Sequence, residues 1–246
     1  MADGTPRLRM IAGPNGSGKS TIKSKIPPEY IVLFLNADEI ESHLRQTNSF
    51  NFANFGVSPS ETEVLQFFSA SSQLAKSGIN FESWEIALNG TSLQFNPAHG
   101  LGYLAATLAD FARVELLKAK RSFTFETVMS HKSKIEFLHE AQLAGYRTYL
   151  YFVGTDDVEI NLARIQNRVA EGGHSVQEAK VRKRYRESMD LLFDAIQFSN
   201  RAFIFDNSEE NGDAIVIAEF ADGTLNYIQE EVPEWFGVEY LDKELK

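Results

Sequence analysis

Apolar and polar positions follow one another along the chain in short blocks, and the blocks predict strands and helices in turn. The run at 8–12, Leu-Arg-Met-Ile-Ala, predicts a buried first strand. Positions 20–26 predict a helix stopped by Pro27 and Pro28. The apolar run at 31–35 predicts a second buried strand that ends in Asn36, Ala37 and Asp38. A helix is expected over 39–46, with Asp38 as its N-cap.

Further on, Ser60 with Glu63 predicts a capped helix running to about 76, closed by Ser77 and Gly78. Positions 101–120 carry Leu104, Leu108, Phe111, Ala112 and Leu116 at helical spacing. Strict alternation at 122–127 predicts a third strand. Helix 134–144, closed by Gly145, strand 148–153 and helix 156–170 follow. Ser175 with Glu178 forms a second capping box, opening a helix to about 198. Strand 202–205 and a terminal hairpin, 214–220 with 224–228, complete the series, and the acidic tail is expected to be peripheral.

Strands alternating with helices imply an α/β fold, a mainly parallel sheet with helices on both faces. One stretch departs from the alternation. Residues 47–97 hold Phe50, Phe52, Phe55, Phe67, Phe68, Phe81, Trp84 and Phe95 among many Ser and Asn. They are expected to form a largely helical subdomain inserted in a single domain of 246 residues.

The turn between the first strand and helix carries the candidate chemistry. Gly13, Pro14, Asn15, Gly16, Ser17, Gly18, Lys19 and Ser20 match G-x-x-x-x-G-K-[ST], with Thr21 following. Between a strand and a helix, this spacing is that of a P-loop. Its glycines bring successive N–H groups onto a polyphosphate, and the helix N-terminus adds unpaired donors. Lys19 is expected on the β- and γ-phosphates and Ser20 on Mg²⁺, which makes ATP and Mg²⁺ the expected cofactors.

Ligands of parallel sheets sit at the carboxyl ends of the strands. That rule gathers the P-loop, Asn36 to Asp38, Glu126 with Thr127, and Asp206 with Asn207 onto one rim. Asp38 suits either a general base for a hydroxyl acceptor or a helix cap. Glu126 suits a water-mediated hold on Mg²⁺ or a grip on the acceptor. Asp206 is read as part of a turn with Asn207 and Ser208.

The net charge is −10, which disfavours a generic nucleic-acid binder. A basic island interrupts the acidity: Arg164, Arg168, Lys180, Arg182, Lys183, Arg184 and Arg186, against Glu171 and Glu178. Arginines there suit a γ-phosphate clamp or a solvated, ion-paired face. There is no cysteine, which excludes disulfides and thiolate metal sites. His174 is given no metal role. No apolar run approaches the ~20 residues of a membrane span, and the start of the chain lacks signal character. A cytoplasmic protein with no membrane partner is expected.

Taken together, these segments resemble the zeta-toxin and related small-molecule kinase family of P-loop proteins. The resemblance rests on residues 13–21, on Asn36-Ala37-Asp38 and on Phe125-Glu126-Thr127. It rests also on Arg164 with Arg168, on 172–176 with Arg184-Tyr185, and on Asp206-Asn207-Ser208. It covers about 8–46 and 100–210 and leaves out the aromatic stretch. It implies an ATP-dependent kinase acting on a hydroxyl of a small molecule, a UDP-linked amino sugar in the best-known branch. By position it implies Asp38 as base, Lys19 and Ser20 on phosphates and Mg²⁺, and Asn36, Glu126 and Thr127 on the acceptor side. Arg168 and one of Arg182 or Arg184 take the γ-phosphate clamp, and a protein antitoxin is the implied partner. The rival reading is a nucleotide-dependent switch or toxin-like binding protein whose aromatic stretch is a partner surface.

Overall fold

The structure, a computed structural model, describes residues 4–96, 99–172, 176–209 and 212–245. In chain order the first elements are β1 (Arg7–Ala12), α1 (Lys19–Lys25), β2 (Phe34–Leu35), α2 (Ala37–Thr47) and β3 (Ser49–Asn51). Then come α3 (Glu61–Ser69), α4 (Ser72–Ser77), β4 (Ala87–Asn89), β5 (Ser92–Gln94), α5 (Leu101–Lys118) and β6 (Phe123–Thr127). The last are α6 (Ser133–Leu143), β7 (Arg147–Gly154), α7 (Val158–Ala170), α8 (Glu178–Asp190), α9 (Leu192–Gln197), β8 (Arg201–Asp206), β9 (Ile215–Ala221) and β10 (Thr224–Ile228). The chain divides into two compact units, residues 1–32 with 124–246, and Leu33–Phe123.

In the first unit the strand order runs β10-β9-β8-β7-β1-β6. β7 is paired in parallel with β1 on one side and β8 on the other. β9 and β10 close that edge as an antiparallel hairpin. β1 is buried along five consecutive residues from Leu8 to Ala12, as a strand covered on both faces should be. Leu8, Met10, Leu150, Phe152, Ala202 and Ile204 have no exposed surface and form the centre of this core. The expected mainly parallel α/β sheet is therefore present.

The acidic tail is not peripheral. Trp235, Phe236 and Tyr240 are buried, and Phe236 stacks on Tyr240 at 5.5 Å. The helical segment from Glu234 to Glu244 places this aromatic side inward. Its acidic residues masked an apolar face spaced i, i+1, i+5.

Other boundaries shift for local reasons. The run at 31–35 shortens to Phe34–Leu35 because a 3₁₀ turn occupies Pro28–Tyr30 and Leu33 takes φ +43°. The helix expected from 60 to 76 breaks at Ala70 and Ser71 into α3 and α4. The helix expected to reach 198 breaks at Leu191 into α8 and α9. Ser175, the proposed cap of α8, lies outside the described residues.

The second unit packs α2 along α5 and carries an antiparallel sheet in the order β3-β5-β4. Each of these strands is three residues long with one apolar centre. Phe50, Leu93 and Leu88 stand in register across them. The stretch 47–97 is therefore mixed rather than largely helical. Its aromatic residues face inward. Phe50, Phe52, Phe68, Trp84 and Phe95 are buried, and Phe52 and Phe67 meet Phe111 of α5 edge-on. Ser60 and Glu63 form the expected capping box.

Candidate functional site

The loop between β1 and α1 is shaped by three glycines at positive φ. Gly13 has φ +139°, and a Cβ there would stand 2.2 Å from the Val153 carbonyl oxygen. Gly16 has φ +79°, with the Asn161 carbonyl oxygen 2.5 Å from the same hypothetical atom. Gly18 has φ +97° and would meet Asn207 Nδ2 at 2.2 Å. Positive φ strains any L-residue; at Gly13 and Gly16 backbone oxygens remove the space as well, and at Gly18 the obstacle is the Asn207 side chain.

Side chains remote in sequence hold the loop in place. Asn161 Nδ2 donates to the Asn15 carbonyl at 2.7 Å, and Asn207 Nδ2 donates to the Ser17 carbonyl at 2.7 Å. Behind them, Thr155 Oγ1 donates to Asn161 Oδ1, and the Tyr185 hydroxyl donates to the Thr155 carbonyl at 2.6 Å. Arg164 donates to the carbonyls of Asn207 and Glu209 at 2.7 and 2.9 Å. Its guanidinium braces the loop after β8. Asn161, Thr155 and Tyr185 were not singled out as loop supports from sequence. Asn161 lies on α7 only three residues before Arg164, and no local pattern marks it.

Lys19 is buried at the head of α1. Its Nζ donates to the carbonyls of Gly13 and Pro14, both at 2.9 Å, and lies 4.0 Å from Glu126 Oε1. The structure thus brings Lys19 and Glu126 together across β1 and β6. Asn15 Oδ1 and Ser17 Oγ are buried in the loop without a hydrogen-bond partner. Buried polar atoms are normally satisfied, so two orphans in one loop mark a place for a polar ligand. Ser20 and Thr21 are exposed at the start of α1. Thr127 Oγ1 accepts the Met129 amide, shaping the turn after β6.

Asp206 serves the turn, as its sequence context suggested. It accepts from Ser208 Oγ at 2.7 Å and from Trp235 Nε1 at 2.8 Å. Arg182 is exposed and bound to Glu159 and Glu178; these two carboxylates hold its pKa above the ordinary arginine value. That is the ion-paired face named as one of the two readings. Arg184 is half-buried on α8, where its charge lowers the pKa of Lys180. Arg168 lies exposed in the last turn of α7. Gly173, His174 and Ser175 lie outside the described residues.

In the second unit, the cap of α2 is Asn36, not Asp38. Asn36 Oδ1 accepts from the amides of Asp38 and Glu39 at 2.7 and 3.2 Å. An amide side chain at the N-cap leaves Asp38 in the first helical turn, exposed to solvent. Among the described residues, no group of three His, Cys, Asp or Glu forms a metal-binding cluster. No helix among them is long and apolar enough to cross a membrane.

No family model matches the chain. Comparison with solved structures shows the class of fold, a P-loop kinase fold. The structure of AvrRxo1-ORF1:-ORF2 with ATP aligns at a TM-score of 0.54 and 15% identity, over 90% of this chain and 60% of that one. The same complex with sulphate ions aligns at 0.51 and 16%, with the same coverage. The chain thus spans 60% of the length of the solved chains it matches. In sequence, it is 35% identical over 100 residues to a Haemophilus influenzae (strain ATCC 51907 / DSM 11121 / KW20 / Rd) protein described as uncharacterized. That match covers 38% of this chain and 69% of the other. The chain belongs to the same family as that Haemophilus protein.

Proposed function

We propose that the protein is a Mg·ATP-dependent kinase that transfers the γ-phosphoryl group to a hydroxyl of a small molecule. The observation that carries this reading is the loop of residues 13–18. Its three glycines stand at positive φ, two of them closed off by backbone oxygens, and Lys19 Nζ is gathered over the same turn. Such a loop presents backbone N–H groups, a buried ammonium and a helix N-terminus to one anion. A solved structure of the same fold was obtained with ATP.

In this reading Lys19 moves from the loop carbonyls onto phosphate oxygens, and its charge stabilises the transferring group. Ser20 would supply a hydroxyl to hold Mg²⁺, which would offset phosphate charge there. Glu126 keeps a carboxylate beside Lys19 and, with Thr127 and Asn36, faces the acceptor. Asp38, relieved of capping by Asn36, orients the acceptor hydroxyl and accepts its proton as that oxygen bonds to the γ-phosphorus and the bond from the γ-phosphorus to the bridging oxygen breaks, releasing ADP. Arg168 and Arg184 take the phosphate clamp. Arg182 must first give up Glu159 and Glu178 to join them. A UDP-amino sugar is the acceptor that the zeta-toxin resemblance implies. A protein partner, as AvrRxo1-ORF1 has in AvrRxo1-ORF2, belongs to the same proposal.

The test is phosphorus NMR of the protein with Mg·ATP and a panel of hydroxyl compounds. A new phosphomonoester signal together with ADP is expected, and both should vanish in Lys19→Ala. ATP left intact with every acceptor, or split only to inorganic phosphate, would overturn the kinase reading.

A further inference from the structure

The two faces of the sheet in the first unit are finished differently. On one, Leu8, Met10, Leu150, Phe152, Ala202 and Ile204 have no exposed surface. On the other, Arg9 stands beside Tyr149 and Tyr149 beside Arg201. The next row sets Tyr151 beside Phe203, Phe203 beside Glu219 and Glu219 beside Tyr227. Tyr149, Tyr151 and Phe203 are only half-buried, and Arg147 and Tyr227 are exposed.

Guanidinium groups and rings lie against one another on this second face. Arg9 is 5.1 Å from the Tyr149 ring centre and 5.2 Å from that of Tyr30. Arg147 is 5.8 Å from Tyr149, and Arg201 is 5.3 Å from Phe203. Tyr151 and Phe203 stack at 5.2 Å. Stacking uses the flat face of a guanidinium and leaves its N–H edge for bidentate recognition of a planar anion.

Acceptors are short here. Arg9 is buried, and neither it nor Arg147 makes a salt bridge among the described residues. Arg9 Nε and Arg201 Nε are buried with no hydrogen-bond partner. Buried charges are normally paired and buried donors normally satisfied. Against these three arginines the two rows set one carboxylate, Glu219, 3.2 Å from Arg201.

We propose that this face docks an acidic segment of a partner protein. Its carboxylates take the N–H edges of the three arginines, which shift rotamer as interface side chains commonly do, and its apolar side chains cover Tyr151 and Phe203. Single-stranded nucleic acid fits less well. It stacks bases on ring faces, and here guanidinium groups already lie over Tyr149 and Phe203. The net charge of −10 also repels a long polyanion. Arg147 and Arg201 open their strands, and Gly13 follows Arg9 by roughly 13 Å at the rise of a strand. The docked segment therefore leaves the glycine loop open, and the proposal does not depend on the kinase reading.

The test is amide NMR of the nitrogen-labelled full chain. The probes are a short capped peptide alternating glutamate with leucine, its glutamine counterpart, and oligothymidylate. The glutamate peptide should shift the amides around Arg147 and Arg201, and the glutamine peptide should bind roughly five-fold more weakly. Arg147→Gln and Arg201→Gln should each weaken the glutamate peptide by roughly five-fold. Arg147→Gln, at an exposed position, should leave the melting temperature nearly unchanged. Saturating Mg·ATP should not alter the peptide's affinity. No binding of the glutamate peptide, equal binding of the glutamine peptide, or indifference to both substitutions would overturn the proposal. So would tighter binding of oligothymidylate, or displacement of the peptide by Mg·ATP.

Discussion

Asn207, at the end of β8, fills the space that a side chain on Gly18 would need, and the same amide nitrogen donates to Ser17. Two residues nearly the length of the chain apart thus define one turn. Gly18→Ala should be strained twice, by φ +97° and by the amide at 2.2 Å. A non-glycine residue in the left-handed region costs roughly 1–2 kcal/mol before any clash. Asn207→Ala removes the donor while leaving room, at about 1 kcal/mol for a net hydrogen bond. We expect Gly18→Ala to abolish measurable Mg·ATP binding and Asn207→Ala to weaken it roughly five-fold. Calorimetric titration checks both. The double variant should bind better than Gly18→Ala alone, because removing the amide relieves the collision.

Trp235 anchors the C-terminal segment to the sheet. Its ring packs against Gly154, where an added Cβ would stand 2.5 Å away, and its Nε1 donates to Asp206. Trp235→Ala should cost ~3–5 kcal/mol, the range for emptying a large aromatic site. Trp235→Phe should cost less but leave the Asp206 carboxylate short of a donor. Urea unfolding followed by circular dichroism measures both losses. The chain has two tryptophans, so Trp235→Phe also leaves Trp84 as the lone reporter of the second unit.

Alkaline pH should loosen the first unit through its tyrosines. Burial pushes the Tyr146 and Tyr185 hydroxyls up to about 12, against ~10 in an unfolded chain. The native state keeps these protons where the unfolded chain has lost them. Their contribution to stability is complete below pH ~10 and is lost as pH rises toward 12. The urea midpoint should therefore fall across that window, and less steeply in Tyr185→Phe. Tyr185 also donates to Thr155 behind Asn161, so Mg·ATP affinity in Tyr185→Phe should drop by a few-fold at neutral pH.

Much of the first unit was legible because its signals are local. The β1 run, the glycine spacing and the lysine that follows sit within thirteen residues, and each strand of the parallel core is a short apolar block. What holds the loop was legible only in part. Asn207 was placed on the rim beside the P-loop, though not its bond to Ser17, and Asn161 is an ordinary polar residue until the fold brings it to Asn15. The cap of α2 was misassigned because both Asn36 and Asp38 are good caps, and only the start of the helix decides between them. The strands β3, β4 and β5 escaped because three residues with one apolar centre cannot display a period. The tail was misjudged because charge hid the apolar side formed by Trp235, Phe236 and Tyr240.

The account turns on Asp38 acting on an acceptor while the glycine loop holds the nucleotide. Its most direct test is one sample of Asp38→Asn in which Mg·ATP binding and ADP formation with acceptor are both measured. The account predicts binding within a few-fold of the unaltered protein and turnover lowered at least ~10²-fold, the scale of general-base catalysis. Turnover unchanged by the substitution, or no Mg·ATP binding by the unaltered protein, would contradict it.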